Sequence, residues 1–114
     1  MQFSLYTYPL MPQLPALKAE FFKAIGHPIR IRVLELLSEG EEPVSELLAA
    51  VDVSQAHLSQ QLGVLRRAGL VNARREGSHV LYSLADPRMA ELLAVSRQML
   101  LDMATATRDE LLSA

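Results

Sequence analysis

Short polar side chains are concentrated between residues 54 and 67, where their types suit hydrogen bonding to a nucleic acid. A glutamine can bond bidentately to adenine, and a serine or histidine can reach a base-edge acceptor or a phosphate. Arginines late in the stretch suit backbone phosphates. On one helix these side chains span more arc than one groove can contact, so some of them face solvent or phosphate. The candidates are Ser54, Gln55, His57, Ser59, Gln60, Gln61, Arg66 and Arg67.

A second group of candidates surrounds a short glycine-containing turn at residues 76–78. Its members are Arg74, Arg75, Ser78 and His79. Arginine is attracted to the negative potential of a DNA minor groove. Because side chains alternate along a strand, Arg74 and Arg75 point to opposite faces, and only one of them is expected to contact DNA. The alternative is a solvated hairpin tip without a binding role.

Other chemistries find little support in the residue types. Cysteine is absent, which excludes disulfides, thiolate metal sites and cysteine nucleophiles. His27, His57 and His79 have no i, i+4 spacing that would put two imidazoles on one helix face, and the position of His27 before a proline favours a capping or buried role. Phosphate-binding glycine loops and hydrolase or metalloprotease motifs are missing. We expect neither an enzyme nor a bound cofactor or metal, although a nickel or zinc site shared with carboxylates of a second subunit stays open.

The composition is that of one small globular domain with an uneven charge distribution. The chain has 114 residues, of which 50% are hydrophobic and 21% charged, and its net charge is -2. Residues 54–79 hold four arginines and two histidines against one glutamate. Because attraction to phosphate is screened within ~10 Å, this basic segment favours a local nucleic-acid footprint; ordinary scatter of surface charge is the alternative. With no apolar run near ~18 residues and no signal-peptide start, we expect a cytoplasmic protein without membrane contact.

The elements that position these candidates are predicted to be mainly α-helices with a small β-hairpin. Apolar spacing, caps and stops predict helices from Leu14 to Gly26, from Pro28 to Gly40, over 45–50, and from the cap Ser54 to Gly69. Residues 71–75 and 79–84 predict the strands of the hairpin, and a last helix follows to about residue 112. Two helices joined by a tight turn and followed by a hairpin are typical of a winged helix-turn-helix.

Two parts of the chain have apolar side chains that one small domain does not cover. Residues 1–13 are interrupted by prolines and predict an extended N-terminal arm, which carries Phe3, Tyr6, Tyr8, Leu10 and Met11. The last helix is apolar around a wide arc, so it needs partners on more than one side. A second copy of the chain would supply this cover. We therefore expect a homodimer in which residues 14–114 form the DNA-binding domain with its C-terminal dimerisation helix.

The run from Val44 to Val71 resembles the ArsR/SmtB family of bacterial winged-helix transcription regulators, above all in Ser54-Gln55-Ala56-His57-Leu58-Ser59-Gln60-Gln61-Leu62 and Ala68-Gly69-Leu70-Val71. The segment 24–34 is similar to the junction of that family's first two helices, and residues 74–84 are similar to its wing. The resemblance covers about residues 16–112. It implies a homodimer built on the first and last helices that binds an imperfect palindrome in double-stranded operator DNA, with the fourth helix in the major groove.

The metal sites that members of this family commonly use are not preserved in the chain. One site uses cysteines of the third helix, and residues 42–47 contain none. Another uses histidines of the last helix, where this chain has Asp86-Pro87-Arg88 and Met99-Leu100-Leu101-Asp102. We therefore expect a repressor that answers an unidentified small effector by changing the spacing of its two reading helices. The main alternative is a winged-helix protein-interaction module without DNA binding.

Overall fold

The computed structural model describes residues 13–113, so residues 1–12 of the predicted arm lie outside the described residues, and that domain boundary stays a prediction. The described part of the chain forms five helices and three strands. In chain order they are α1 (Leu14–Ile25), α2 (Pro28–Leu37), β1 (Glu42–Pro43), α3 (Val44–Ala50), α4 (Gln55–Arg67), β2 (Val71–Glu76), β3 (His79–Leu84) and α5 (Arg88–Ser113).

Backbone and side-chain caps set the end of α1 and the start of α2 where the sequence predicts them. Gly26 ends α1 and donates its backbone N–H to the carbonyl of Phe22 at 2.9 Å. His27 then caps α2, because its Nδ1 accepts the backbone N–H of Ile29 at 3.1 Å. The capping role predicted for His27 is therefore confirmed. Helix α2 ends three residues before the predicted stop at Gly40, whose φ of 142° turns the chain towards β1.

The predicted hairpin is confirmed, but it belongs to a three-stranded antiparallel sheet of order β1-β3-β2. Strands β2 and β3 pair from Val71 opposite Leu84 to Glu76 opposite His79. Strand β1 adds only Glu42 and Pro43 on the other side of β3. So short a strand, with a proline in an edge position, has no alternating pattern from which it can be predicted.

The core lies where α2, α3 and α4 meet the sheet. Leucines at i, i+4 and i+7 of α4 are buried, and the three are Leu58, Leu62 and Leu65. They pack with Val33, Leu34 and Leu37 of α2 and Leu47 of α3. One face of α4 is thereby fixed to the domain and the other is left for contacts outside it. The arrangement is the winged helix-turn-helix that the sequence predicts.

The buried and half-buried large apolar side chains of helix α5 lie in its first two turns. The Asp86 carboxylate accepts the backbone N–H of Arg88 at 2.9 Å and so caps the helix start. Met89 is buried and Leu92 and Leu93 are half-buried, whereas residues 94–113 are exposed. Among residues 13–113 no helix is both long and apolar enough to cross a membrane.

Candidate nucleic-acid interface

The start of α4 is fixed by Ser54. Its hydroxyl oxygen accepts the backbone N–H of His57 at 3.1 Å, which satisfies a first-turn amide that has no partner within the helix. Ser54 thus has the capping role that the sequence predicts. Together with the turn over residues 51–53, this cap sets the direction in which α4 leaves α3, the second part of a helix-turn-helix.

The outer face of α4 presents three of the predicted polar side chains. Gln55, Ser59 and Gln60 are all exposed. Ser59 and Gln60 lie away from the buried leucines, whereas Gln55, seven residues before Leu62, is exposed at the first position of the helix. His57 is half-buried at the edge of this face. The exposed amides and hydroxyl offer both donors and acceptors, which is the chemistry that reading base edges requires.

Gln61 does not lie on this outer face, so its expected placement toward a groove is corrected. Gln61 is only 7% exposed. Its amide oxygen accepts from Arg30 Nη1 at 2.9 Å, and its amide nitrogen lies 3.1 Å from His57 Nε2. Gln61 follows Leu58 by three residues and precedes Leu65 by four, so it sits beside the buried leucines on the helix surface. This spacing in the sequence indicates that Gln61 is buried.

The contact of Arg30 with α4 could not be predicted from the sequence. Its position in α2 suggests an ordinary helix-surface charge, but the side chain is half-buried and reaches across to α4. Its Nη2 also donates to the carbonyl of Lys23 at 3.3 Å. Arg30 therefore links α1, α2 and α4.

Two arginines extend the outer face at the end of α4. Arg66 and Arg67 are exposed in the last turn, and neither makes an ion pair with another residue of the 13–113 segment. The Arg67 guanidinium folds back over Gly63, where an added Cβ would lie 3.0 Å from Nη1. Both cations thus remain available to a phosphate backbone.

The tip of the β2–β3 hairpin carries further exposed polar groups. The chain turns at Gly77, whose φ of 61° is readily adopted only by glycine. Ser78 and His79 follow the turn and are exposed, as is Arg75 on β2. Within the described residues Arg75 forms no side-chain hydrogen bond or ion pair, so its charge is free to meet DNA.

Arg74, by contrast, is held by two carboxylates midway along β2. Its Nη2 and Nε donate to Glu41 at 2.6 and 2.8 Å, and its Nη1 donates to Glu76 at 2.7 Å. The hydrogen bond from Arg74 lowers the pKa of Glu41, and the two carboxylates in turn raise the pKa of Arg74. Two acids thus neutralise Arg74, which leaves Arg75 as the unpaired cation of the two.

Within residues 13–113 the three histidines do not come together as a group that could hold a metal ion. His27 and His57 come together across α2 and α4, with ring centroids 5.9 Å apart and an interplanar angle of 81°. No group of three or more histidine, aspartate or glutamate side chains in residues 13–113 is arranged to hold a metal ion.

Comparison with known proteins assigns the chain to a family. Residues 27–73 match the model of the bacterial regulatory protein ArsR family. An uncharacterised HTH-type transcriptional regulator of Mycobacterium tuberculosis, Rv0081, is 60% identical over 85 residues, which are 74% of this chain and 75% of the relative. The biofilm growth-associated repressor of Agrobacterium fabrum is 42% identical over 85 residues, or 75% of this chain and 73% of the repressor.

Solved structures agree with this assignment. The crystal structure of Rv0081 superposes with a TM-score of 0.77 at 55% identity and covers 82% of this chain and 95% of its own. A homodimeric winged helix-turn-helix DNA-binding domain from Mycobacterium bovis, described as a possible ArsR-family regulator, gives a TM-score of 0.72 at 31% identity and covers 86% and 90% of the two chains. The chain therefore belongs to the ArsR family of bacterial regulatory proteins and is a DNA-binding transcriptional regulator.

Proposed function

We propose that the protein is a homodimeric repressor that binds a specific double-stranded operator. Helix α4 would lie in the major groove, and the β2–β3 wing would follow the adjacent backbone or minor groove. The observation that carries this proposal is that exposed polar side chains of α4 lie beside those of the wing, Gln55 next to Ser78 and His79 and Arg66 next to Arg75. The side chains assigned to DNA are Ser54, Gln55, His57, Ser59, Gln60, Arg66, Arg67, Arg75, Ser78 and His79.

Dimerisation is supported by where the apolar surface lies. All the large hydrophobic side chains that are exposed in residues 13–113 belong to α1 or α5, and they are Leu17, Phe21, Phe22, Val95, Met99, Leu100, Leu101, Met103, Leu111 and Leu112. A surface of this kind is characteristic of an interaction site on a small protein. The homodimeric M. bovis neighbour makes a second copy of the chain the best-supported partner. Two copies would place two α4 helices for the half-sites of a palindrome.

The signal to which the repressor responds is proposed to be a small effector of unidentified chemistry. Cysteine is absent from the chain, so the effector is not sensed through thiolates. An effector acts on DNA binding only if it prefers one spacing of the two α4 helices over another. We place the protein in the cytoplasm, where bacterial chromosomal DNA lies.

The proposal is tested by titrating the purified protein into labelled DNA from the region upstream of its own gene, with a scrambled duplex of the same composition as the control. Binding to the native fragment should be tighter and should weaken steeply with salt, because phosphate contacts release counterions. A Gln60→Ala variant should lose ~1–3 kcal/mol of discrimination if Gln60 contacts a base. Glu39→Ala, a substitution of an exposed side chain in the turn after α2, is the matched control and should bind like wild type.

Two results would contradict the proposal. Absence of binding to either duplex at low salt would favour the protein-interaction module. Equal weak binding to both duplexes across a set of upstream fragments would leave only sequence-independent attraction to phosphate and would exclude an operator binder.

A further inference from the structure

The part-buried contact between α2 and α4 has a chemical consequence for His57. Arg30, Gln61 and His57 form a chain of two hydrogen bonds, 2.9 Å from Arg30 Nη1 to Gln61 Oε1 and 3.1 Å between Gln61 Nε2 and His57 Nε2. An arginine has only donors, so the Gln61 atom that faces it must be the amide oxygen. The amide NH2 group is then directed at His57.

His57 must accept this hydrogen bond. Because Gln61 offers only N–H at that end, His57 Nε2 carries no proton, and the neutral imidazole carries its proton on Nδ1. The reverse orientation of the Gln61 amide would set its NH2 group against the Arg30 guanidinium, with two donors facing each other. The always-charged Arg30 thus decides, through Gln61, which nitrogen of His57 is protonated.

His27 has the opposite arrangement in the same region. Its Nδ1 accepts the backbone N–H of Ile29, so the neutral ring carries its proton on Nε2. Two neighbouring imidazoles, 5.9 Å apart, are therefore held in opposite tautomers by different hydrogen bonds.

We propose that Arg30 and Gln61 are positioning residues that hold His57 as an Nδ1-protonated donor on α4, so that His57 reads only acceptor groups on DNA. His57 lies in the first turn of α4, and the first turn of a reading helix contacts base edges. With Nε2 engaged inside the protein, the hydrogen left for DNA is Nδ1–H. Its partners are phosphate oxygens or the base acceptors N7, O6 and O4, and amino groups are excluded. The DNA part of this inference rests on the proposed function.

The tautomers can be measured without DNA by long-range ¹H–¹⁵N correlation of the imidazole nitrogens in the labelled full-length protein at slightly alkaline pH. The His57 signals are assigned from their loss in a His57→Asn variant. Wild type should show His57 protonated on Nδ1 and His27 protonated on Nε2. A His57 ring protonated on Nε2, or averaged between tautomers, would overturn the proposal.

Two substitutions at Gln61 distinguish a positioning role from simple packing. Gln61→Glu keeps the contact with Arg30 but has only acceptor oxygens, so His57 should move its proton to Nε2. Gln61→Leu removes the link and should release His57 from a single tautomer. Gln60→Leu, at the exposed neighbouring position, should leave the His57 signals unchanged. An unchanged His57 spectrum in folded Gln61→Glu would refute the assignment.

Operator binding provides the second readout. Loss of the directed donor in Gln61→Glu should weaken binding by about 10-fold per half-site, the size of one hydrogen bond. Unchanged affinity despite an inverted tautomer would refute the role in DNA reading. Correct tautomers in a wild-type protein that binds no operator would instead refute the proposed function and leave the positioning of His57 intact.

Discussion

The two adjacent arginines of β2 provide a sharp test of which part of the wing meets DNA. Arg74 donates three hydrogen bonds to Glu41 and Glu76, whereas Arg75 has no such partner among the described residues. Arg75→Ala should therefore remove a phosphate contact. Arg74→Ala should remove a cation that is already neutralised, which makes it a matched control one residue away.

The magnitude follows from counterion release. Each phosphate contact contributes about 0.9 to the slope of log affinity against log salt, and a homodimer loses two contacts, so Arg75→Ala should flatten the slope by about 1.8. At 0.1 M salt this corresponds to binding about 60-fold weaker than wild type, a difference that shrinks as salt approaches 1 M. Arg74→Ala should change the slope by less than about 0.5.

The assay is fluorescence anisotropy of a labelled operator duplex at salt concentrations from about 50 to about 200 mM. Both variants should first be shown to have wild-type helix content and mass. The reasoning is refuted if Arg75→Ala keeps the wild-type slope, or if the two variants flatten it equally.

Three further outcomes are expected. Gly63→Ala should stabilise the protein by ~0.5–1 kcal/mol in denaturant unfolding, because alanine favours a helix interior and the flexible end of Arg67 can move aside; a lower midpoint would contradict this. Leu100→Glu should give monomers in sedimentation velocity and weaken operator binding by at least ~100-fold, since tethering of two half-site contacts is lost; an intact dimer would place the interface elsewhere. Hydrogen bonds from Arg88 lower the pKa of Asp86 from 3.8 to about 2, so its stabilising contribution is present above pH 4 and is lost as pH falls towards 2. The stability difference between wild type and Asp86→Asn should accordingly disappear over that range, and a difference that persists below it would argue against the ion pair.

Local signals were sufficient for most of the architecture. Ser54 is followed by apolar residues at helical spacing, and these two features predict α4 at the position where it is found. The glycine turn between two β-rich segments likewise placed β2 and β3. These elements are determined by residues that are close together in the sequence, so the sequence alone is sufficient to predict them.

Contacts between distant segments could not be predicted in the same way. The sequence predicts Gln61 to lie with the polar face of α4, but its partner Arg30 is 31 residues earlier in the chain, and only the fold brings the two together. The pairing of Arg74 with Glu41 spans 33 residues and decides which wing arginine is free. Counting charges along the sequence does not reveal which side chains pair in the fold. The spacing of Gln61 from the leucines of α4 indicates that it is buried. The spacing does not indicate that Arg30 is its partner.

If two chains associate as proposed, the exposed length of α5 would make the abundance of the protein part of its regulation. Residues 94–113 span about 30 Å of exposed helix, and most of a helix's stability in a protein comes from packing of its apolar face. In the proposed homodimer, folding of this segment and association of two chains become one event. The helical content should then rise with protein concentration, and operator occupancy should rise more steeply than the number of chains. A cell that makes a little of this regulator would leave the operator open, and a modest increase in synthesis would close it.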